Sequence, residues 1–174
     1  MTDSDRGLPR LAFDREEYLT RLLCELTGLL QDMVGRDDAK IFVGVVGKNL
    51  GTRIDHQYRR VLGCDRLDRE QVGIVIEDLT RRIGGTFMLD KHDACRLVYR
   101  NSACPFDTSV HERQSLCSIT SNVIGTIAAD NLGYAKVCLE NTIADGANAC
   151  RVVVYLDPDD ERARCAEGDE YQGR

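Results

Sequence analysis

The sequence lacks the features that mark several large classes of protein. No apolar run approaches the roughly 18 residues of a membrane-spanning helix. The first ten residues, MTDSDRGLPR, contain acids and no apolar stretch, so they do not match a secretory signal and we expect a cytoplasmic location. Basic residues are in deficit, with 23 Lys and Arg against 29 Asp and Glu. The resulting net charge of −6 disfavours direct binding to nucleic acid, and we expect no membrane association.

Motifs typical of enzymes are also missing. The chain has three histidines, at positions 56, 92 and 111, and none belongs to an HExxH metal motif or a nucleophile elbow. Gly44, Gly47 and Gly51 do not form the GxGxxG pattern of a dinucleotide site, because the residues between them have a helical pattern. They are predicted to admit a neighbouring helix or a ligand close to the backbone. We therefore expect that the protein is not an enzyme.

With 174 residues, the chain has the usual size of one compact domain. We predict a flexible N-terminus over residues 1–13 and a single domain over residues 14–157. Residues 158–174 have almost nothing apolar to bury, so they are predicted to form a disordered acidic tail.

Within the predicted domain, the apolar pattern changes between helical and strand periods. A cap at Asp68 with Gln71 three residues later predicts the start of the third helix. The predicted helices cover residues 14–33, 37–62, 69–83 and 114–132, and the predicted strands cover residues 86–89, 95–100, 134–143 and 149–156. This order indicates an α+β fold in which N-terminal helices pack on one face of a four-stranded antiparallel sheet.

Eight cysteines remain to be explained, and in a cytoplasmic protein they do not indicate disulfides. Cys24 and Cys64 fit the apolar positions of helices and are predicted to be buried. Three others stand where the backbone changes direction. Cys104 lies in a loop that Pro105 fixes. Cys117 lies in the first turn of a helix, where the helix dipole favours a thiolate. Cys150 follows the turn between the last two predicted strands.

The spacing of these three cysteines, with twelve and thirty-two residues between them, lacks the CxxC pairs of a zinc ribbon. It favours a site that the tertiary fold assembles, with Cys104, Cys117 and Cys150 as ligands of zinc or an iron–sulfur cluster. A fourth ligand is Cys95, Cys138 or His111, or is absent. We place Cys95 ahead of Cys138, which strand periodicity puts on an exposed face. The simplest alternative is that all these thiols fill the core.

Several stretches carry a resemblance to a known family. The segments are ACPF (103–106), SLC (115–117), SNVIGTIAADNLGYAKV (121–137), TIADGANACRVVVYL (142–156) and VVGKNLG (45–51). Over residues 15–157 the chain resembles the methanogen output domain family of signal-transduction proteins, which implies a sensory or output role. It is similar, more distantly, to the cluster-binding domain of the cyanobacterial repressor of iron–sulfur assembly genes and to vinyl-reductase-type sensor domains.

The second likeness implies cluster ligands at Cys104, Cys117 and Cys150, although no cysteine stands near Tyr134 where that repressor has its remaining ligand. The function predicted from the sequence is therefore a signal-transduction sensory or output domain with a cysteine-ligated metal centre. Two alternatives stay open: a metal-free redox switch through a Cys104–Cys117 disulfide, and a regulatory domain that binds a small molecule. As partners we expect a second copy, paired through the first or second helix, and a signalling protein such as a kinase or regulator.

Overall fold

A computed structural model describes residues 13–106 and 115–174. The predicted flexible N-terminus therefore lies, except for Phe13, outside the described residues, and so does His111. In chain order the elements are α1 (Arg15–Val34), α2 (Arg36–Leu62), α3 (Arg69–Arg82), β1 (Met88–Asp93), β2 (Arg96–Asn101), α4 (Ser115–Leu132), β3 (Tyr134–Asn141), β4 (Cys150–Tyr155), α5 (Glu161–Cys165) and β5 (Asp169–Gln172). Among these residues no helix has both the length and the apolar character needed to cross a bilayer.

The fold is α+β, as predicted, but its antiparallel sheet has five strands rather than four, in the order β1-β2-β4-β3-β5. The predicted helix starts are accurate where side chains cap them. Asp68 and Gln71 form the reciprocal capping box of α3, and the Asp14 carboxylate accepts a hydrogen bond from the Glu17 N–H at the start of α1. The β1–β2 hairpin turns later than predicted, because β1 continues to Asp93.

The additional strand lies in the segment that was predicted to be a disordered tail, and that prediction is wrong. Asp160 caps α5, and Arg162 binds both Asp160 and the distant Asp93. β5 then pairs with β3, and Tyr171 packs against α4 beside Gly125. The segment is held by ion pairs, backbone pairing and one aromatic side chain, which compensate for its small apolar content.

The main core lies between the sheet and the helices, with α4 at its centre. Glycines on α2 let α4 approach closely. A Cβ on Gly47 would lie 2.7 Å from the Ile119 carbonyl oxygen, and one on Gly51 would lie 2.9 Å from Thr126 Cβ. The predicted role of this glycine row, to admit a neighbouring helix, is confirmed.

The opposite face of the sheet is covered by α5, so the helices do not all lie on one side. Ala163 of α5 packs with Val98, Cys138, Val153 and Tyr155 in a second, smaller cluster. Cys138 is therefore buried, not exposed as its strand periodicity indicated, because α5 covers the face on which it lies.

Candidate functional site

Three elements bring Cys104, Cys117 and Cys150 to one small cavity of about 40 Å³. Cys104 follows β2, Cys117 lies in the first turn of α4, and Cys150 is the first residue of β4. All three line the same cavity, so the fold places these distant thiols around one space, while their role as metal ligands stays a prediction. We call it the cysteine cavity.

Local hydrogen bonds fix the loop that carries Cys104. The Thr86 hydroxyl oxygen accepts hydrogen bonds from the backbone N–H groups of Ser102 and Ala103, each at 3.0 Å. The Asn101 side-chain oxygen in turn accepts one from the Thr86 N–H at 2.7 Å. A buried asparagine and a threonine thus set the course of the chain between β2 and Cys104.

Cys150 is positioned by the sheet. It stands opposite Asn101 in the β2–β4 ladder, and its sulfur accepts a hydrogen bond from the Ile143 N–H at 3.3 Å. Ile143 begins a short 3-10 helix that ends at Asp145 and is followed by Gly146 with φ +87°, so the turn between β3 and β4 brings its backbone to the thiol. The predicted turn at Asp145-Gly146 is confirmed.

The electrostatic environment of Cys117 differs from the sequence-based prediction. Burial, followed by the nearby Cys104, Cys150 and Asp145, raises the pKa of the Cys117 thiol to about 12. We expected the helix dipole to favour the thiolate, but desolvation outweighs the effect of the helix terminus. At neutral pH the thiol is therefore protonated.

The other predicted metal ligands lie elsewhere. Cys95 is at the far end of the β2–β4 ladder, next to Asp157, with a sulfur-to-carboxylate distance of 3.9 Å. Asn101 is six residues further along the chain, about 20 Å away at the usual rise per residue of a strand. Cys138 lies on the opposite sheet face. Neither can complete a site with the other three.

Across residues 13–106 and 115–174, no group of three or more His, Cys, Asp or Glu side chains is arranged to hold a metal ion. All eight cysteines lie within these residues, and none of them forms a disulfide. Cys24 is buried in the main core and Cys64 packs against it, as predicted.

A larger apolar cavity, which we call the helix groove, adjoins the cysteine cavity and has a volume of about 420 Å³. The two cavities share four lining residues: Pro105, Phe106, Thr120 and Ile124. The remaining walls of the helix groove are Leu19, Thr20, Leu23, Val46, Leu50, Ile54, Leu79, Thr80, Ile83, Ile119 and Val123. None of the described residues that line it is charged, and its volume falls within the ~300–1,000 Å³ typical of small-molecule sites.

Cys117 also borders a second cleft of about 270 Å³, which we call the polar cleft. Its lining includes the cationic side chains of Arg36 and Lys40 at the start of α2, together with Asp37 and Asp145. A ligand that spans these spaces would have an apolar body in the helix groove and a polar end near Cys117.

Sequence reasoning did not identify the helix groove or the polar cleft. Leu19, Leu23, Val46 and Leu50 fit the amphipathic pattern of core positions, and nothing in that pattern distinguishes a wall with a space behind it from a packed contact. Thr120, which lies between the two cavities, has no signal in the sequence at all.

Comparison with known proteins gives a family and a fold. The model of the methanogen output domain 1 family matches residues 22–155, which confirms the predicted resemblance. No curated protein matches the chain. Among solved structures, the fold is similar to trafficking protein particle complex subunit 3 from Naegleria fowleri, a structure described as covalently bound to palmitic acid. The TM-score is 0.62 at 12% identity, with 91% of this chain and 99% of that chain covered, so the similarity concerns the fold.

Proposed function

Because the chain belongs to the methanogen output domain 1 family, we propose that it is a signal-transduction output domain whose signal is a long-chain acyl ligand. The observation that carries the proposal is the helix groove, whose described lining residues are uncharged and which shares four lining residues with the cysteine cavity. The apolar tail would fill the groove. The palmitic acid of the structurally similar trafficking subunit supports this class of ligand.

The polar end of the ligand is assigned from charge. Beyond Cys117 the polar cleft presents the Arg36 guanidinium, to which an acyl carboxylate would be complementary. Lys40, on the same cleft, pairs with Asp169 at 3.3 Å, and Asp37 and Asp145 also line the cleft. The protonated Cys117 thiol presents no negative charge to oppose it. We therefore favour a fatty acid over a neutral alkane or alcohol.

Signal transmission would follow from where the groove lies. Its walls come from α1, α2, α3 and α4, and α1 shares few contacts with the rest of the fold, as its exposed side chains show. A ligand between α1 and α4 would change the position or the order of α1, and a signalling partner such as a kinase or regulator would detect that change.

Binding of palmitate, compared with its alcohol hexadecanol and with short-chain butyrate, tests the proposal. We expect palmitate to raise the melting temperature of the full-length protein and butyrate to have no effect. Thr120→Phe should abolish the increase because it fills the junction between the two cavities. Thr52→Phe on α2, outside both cavities, is the matched control. A palmitate response that survives Thr120→Phe would contradict the site.

A double variant that removes two cations locates the carboxylate. Replacing both Arg36 and Lys40 with Gln should weaken palmitate binding about fivefold, which corresponds to ~1 kcal/mol for exposed charge pairs, and should leave hexadecanol unchanged. Intact mass spectrometry before and after hydroxylamine shows whether any bound acyl group is a thioester on a cysteine. If palmitate and hexadecanol lose affinity equally in the double variant, the polar cleft does not hold the head group.

The cysteine-ligated metal centre predicted from the sequence is the competing function. Among the described residues, no group of three or more His, Cys, Asp or Glu side chains is arranged to hold a metal ion. Cys95 and Cys138 both lie away from the other three cysteines, and His111 lies outside the described residues. The described residues therefore fit an apolar ligand better than zinc or an iron–sulfur cluster. Protein purified without oxygen should contain no stoichiometric iron or zinc, and a full complement of metal that is lost in Cys117→Ala would overturn the acyl proposal.

The redox alternative has a separate readout. A Cys104–Cys117 disulfide would need a peroxide-class oxidant, which takes up two electrons and leaves as water when the two thiols become a disulfide. The protein mass would fall by two hydrogens, and dithiothreitol would reverse the loss. Because the Cys117 thiol stays protonated at neutral pH, we expect this oxidation to be slow.

A further inference from the structure

One side of α1 presents an apolar stripe to solvent. It consists of Tyr18, Leu22, Leu26, Leu29 and Met33, which we call the α1 stripe. Steps of three or four residues place all five on one side of the helix. Their exposed fractions run from 42% for Leu22 to 74% for Met33. The stripe is thus uncovered by the described residues over the whole length of the helix.

The stripe is large for a surface without a partner. Five such side chains at these exposures present roughly 600 Å² of apolar area, at the upper end of the largest patches on monomeric proteins. Two copies placed face to face would bury about 1,200 Å², which reaches the lower range of specific protein interfaces.

The spacing of the stripe indicates its partner. In an antiparallel pair of α1 helices related by a twofold axis, Tyr18 lies opposite Met33 of the other copy and Leu22 lies opposite Leu29, so the stripe covers itself. The two helix dipoles then oppose each other, whereas a parallel pair would align them. The charges of α1 do not select the orientation, because Glu16 and Glu17 accompany Arg15 in the first turn.

We propose that the α1 stripe is the interface of a homodimer in which two α1 helices pair antiparallel about a twofold axis near Leu26. Such an interface is self-complementary, as twofold symmetry requires. A lipid surface fits less well. Interfacial helices carry an excess of Lys and Arg, whereas α1 has two arginines against four acids, Glu16, Glu17, Glu25 and Asp32.

Sedimentation equilibrium of the full-length protein tests the dimer. Leu26→Glu places two carboxylates at the axis and should raise the dimer dissociation constant about a hundredfold, because buried unpaired charge is costly. Leu26 is 57% exposed, so the fold should survive, as circular dichroism will show. Val61→Glu, at an 82% exposed residue on α2, is the matched control and should remain dimeric. A wild-type protein that is monomeric at all concentrations would overturn the proposal.

A charge pair placed within the stripe tests the antiparallel arrangement. Leu22→Lys and Leu29→Glu should each weaken the dimer about tenfold, and the double variant should recover most of the loss because it sets opposite charges across the twofold axis. Additive losses in the double variant would contradict the antiparallel pairing. Flotation with vesicles of phosphatidylserine and phosphatidylcholine tests whether the stripe binds lipid. A monomer that floats with the vesicles would show that the stripe binds membranes instead of a second copy.

Discussion

The helices α1 and α4 have similar lengths and similar numbers of apolar residues, yet their burial differs sharply. Thirteen of the eighteen residues of α4 are buried, against three of the twenty residues of α1. α4 is tightly packed because glycines of α2 let it approach on one side and the sheet covers another. α1 lies over a cavity. The fold therefore contrasts a closely packed helix with one that leaves most of its side chains exposed.

The largest expected effect concerns the close packing of α4 against α2. Gly47→Ala would place a Cβ within 2.8 Å of both the Ile119 carbonyl oxygen and Asn122 Cβ, and a backbone oxygen cannot move aside. We expect the free energy of unfolding to fall by about 2–3 kcal/mol. Urea denaturation followed by circular dichroism measures the change.

The matched control for this variant is Gly73→Ala in α3. A Cβ there meets its nearest neighbours at 3.8 and 3.9 Å, so no contact has to shift. Since alanine favours helices over glycine, this variant should be unchanged or more stable by up to ~1 kcal/mol. If both substitutions lower the free energy of unfolding equally, the close contact between α2 and α4 does not explain the effect of Gly47→Ala.

A second, smaller effect concerns how the C-terminal segment is attached to α4. The Tyr171 ring would lie 2.3 Å from a Cβ on Gly125, and its hydroxyl lies 3.2 Å from the Ser121 hydroxyl. Tyr171→Ala should lower the free energy of unfolding by about 2 kcal/mol, less than for a fully buried aromatic residue. Tyr171→Phe keeps the ring and should cost only about 1 kcal/mol.

Hydrogen exchange of β5 separates local from global loss. If Tyr171 anchors the segment, exchange in residues 169–172 should accelerate in Tyr171→Ala more than exchange in α4. Unchanged protection of β5 would mean that backbone pairing with β3 holds the strand without the aromatic contact.

The C-terminal segment also shows where sequence reasoning fails. Its acids and few apolar residues favoured disorder, but Asp160, Arg162 and Asp93 satisfy one another across the fold, and the proximity of Asp93 cannot be read from local composition. The same limit applies to Cys138, whose periodicity is that of a strand with one exposed face. Burial of that face by α5 depends on a segment that the pattern did not assign to any element.

The elements themselves were more predictable, because their signals are local. Capping at Asp14 and Asp68, periodic apolar positions and glycine turns set the boundaries of α1, α3 and β3 to within one or two residues. The meeting of Cys104, Cys117 and Cys150 followed from their positions at chain reversals. The cavity beside them could not be predicted, since a groove depends on the distance between helices, which local patterns do not encode.

The smallest predicted effect concerns the contact between α2 and α3, at the side of the groove. The Asp78 carboxylate accepts hydrogen bonds from the Tyr58 hydroxyl at 2.8 Å and from Arg82 at 2.6 Å. Hydrogen bonds from Arg82, Tyr58 and Arg81 lower the pKa of Asp78 from 3.8 to about 2. A carboxyl group whose pKa is lower in the folded state stabilises the fold above its unfolded pKa, and this contribution is lost as the pH falls.

Asp78→Asn should therefore lower the free energy of unfolding by about 1 kcal/mol at pH 7, a value reduced because Arg81 and Arg82 are largely exposed. The difference from the wild type should shrink as the pH falls from about 4 to 2, the interval between the two pKa values of Asp78. Tyr58→Phe removes one donor and should leave part of this pH dependence. A difference between Asp78→Asn and wild type that is constant from pH 7 to pH 2 would show that the contact acts through shape rather than through charge.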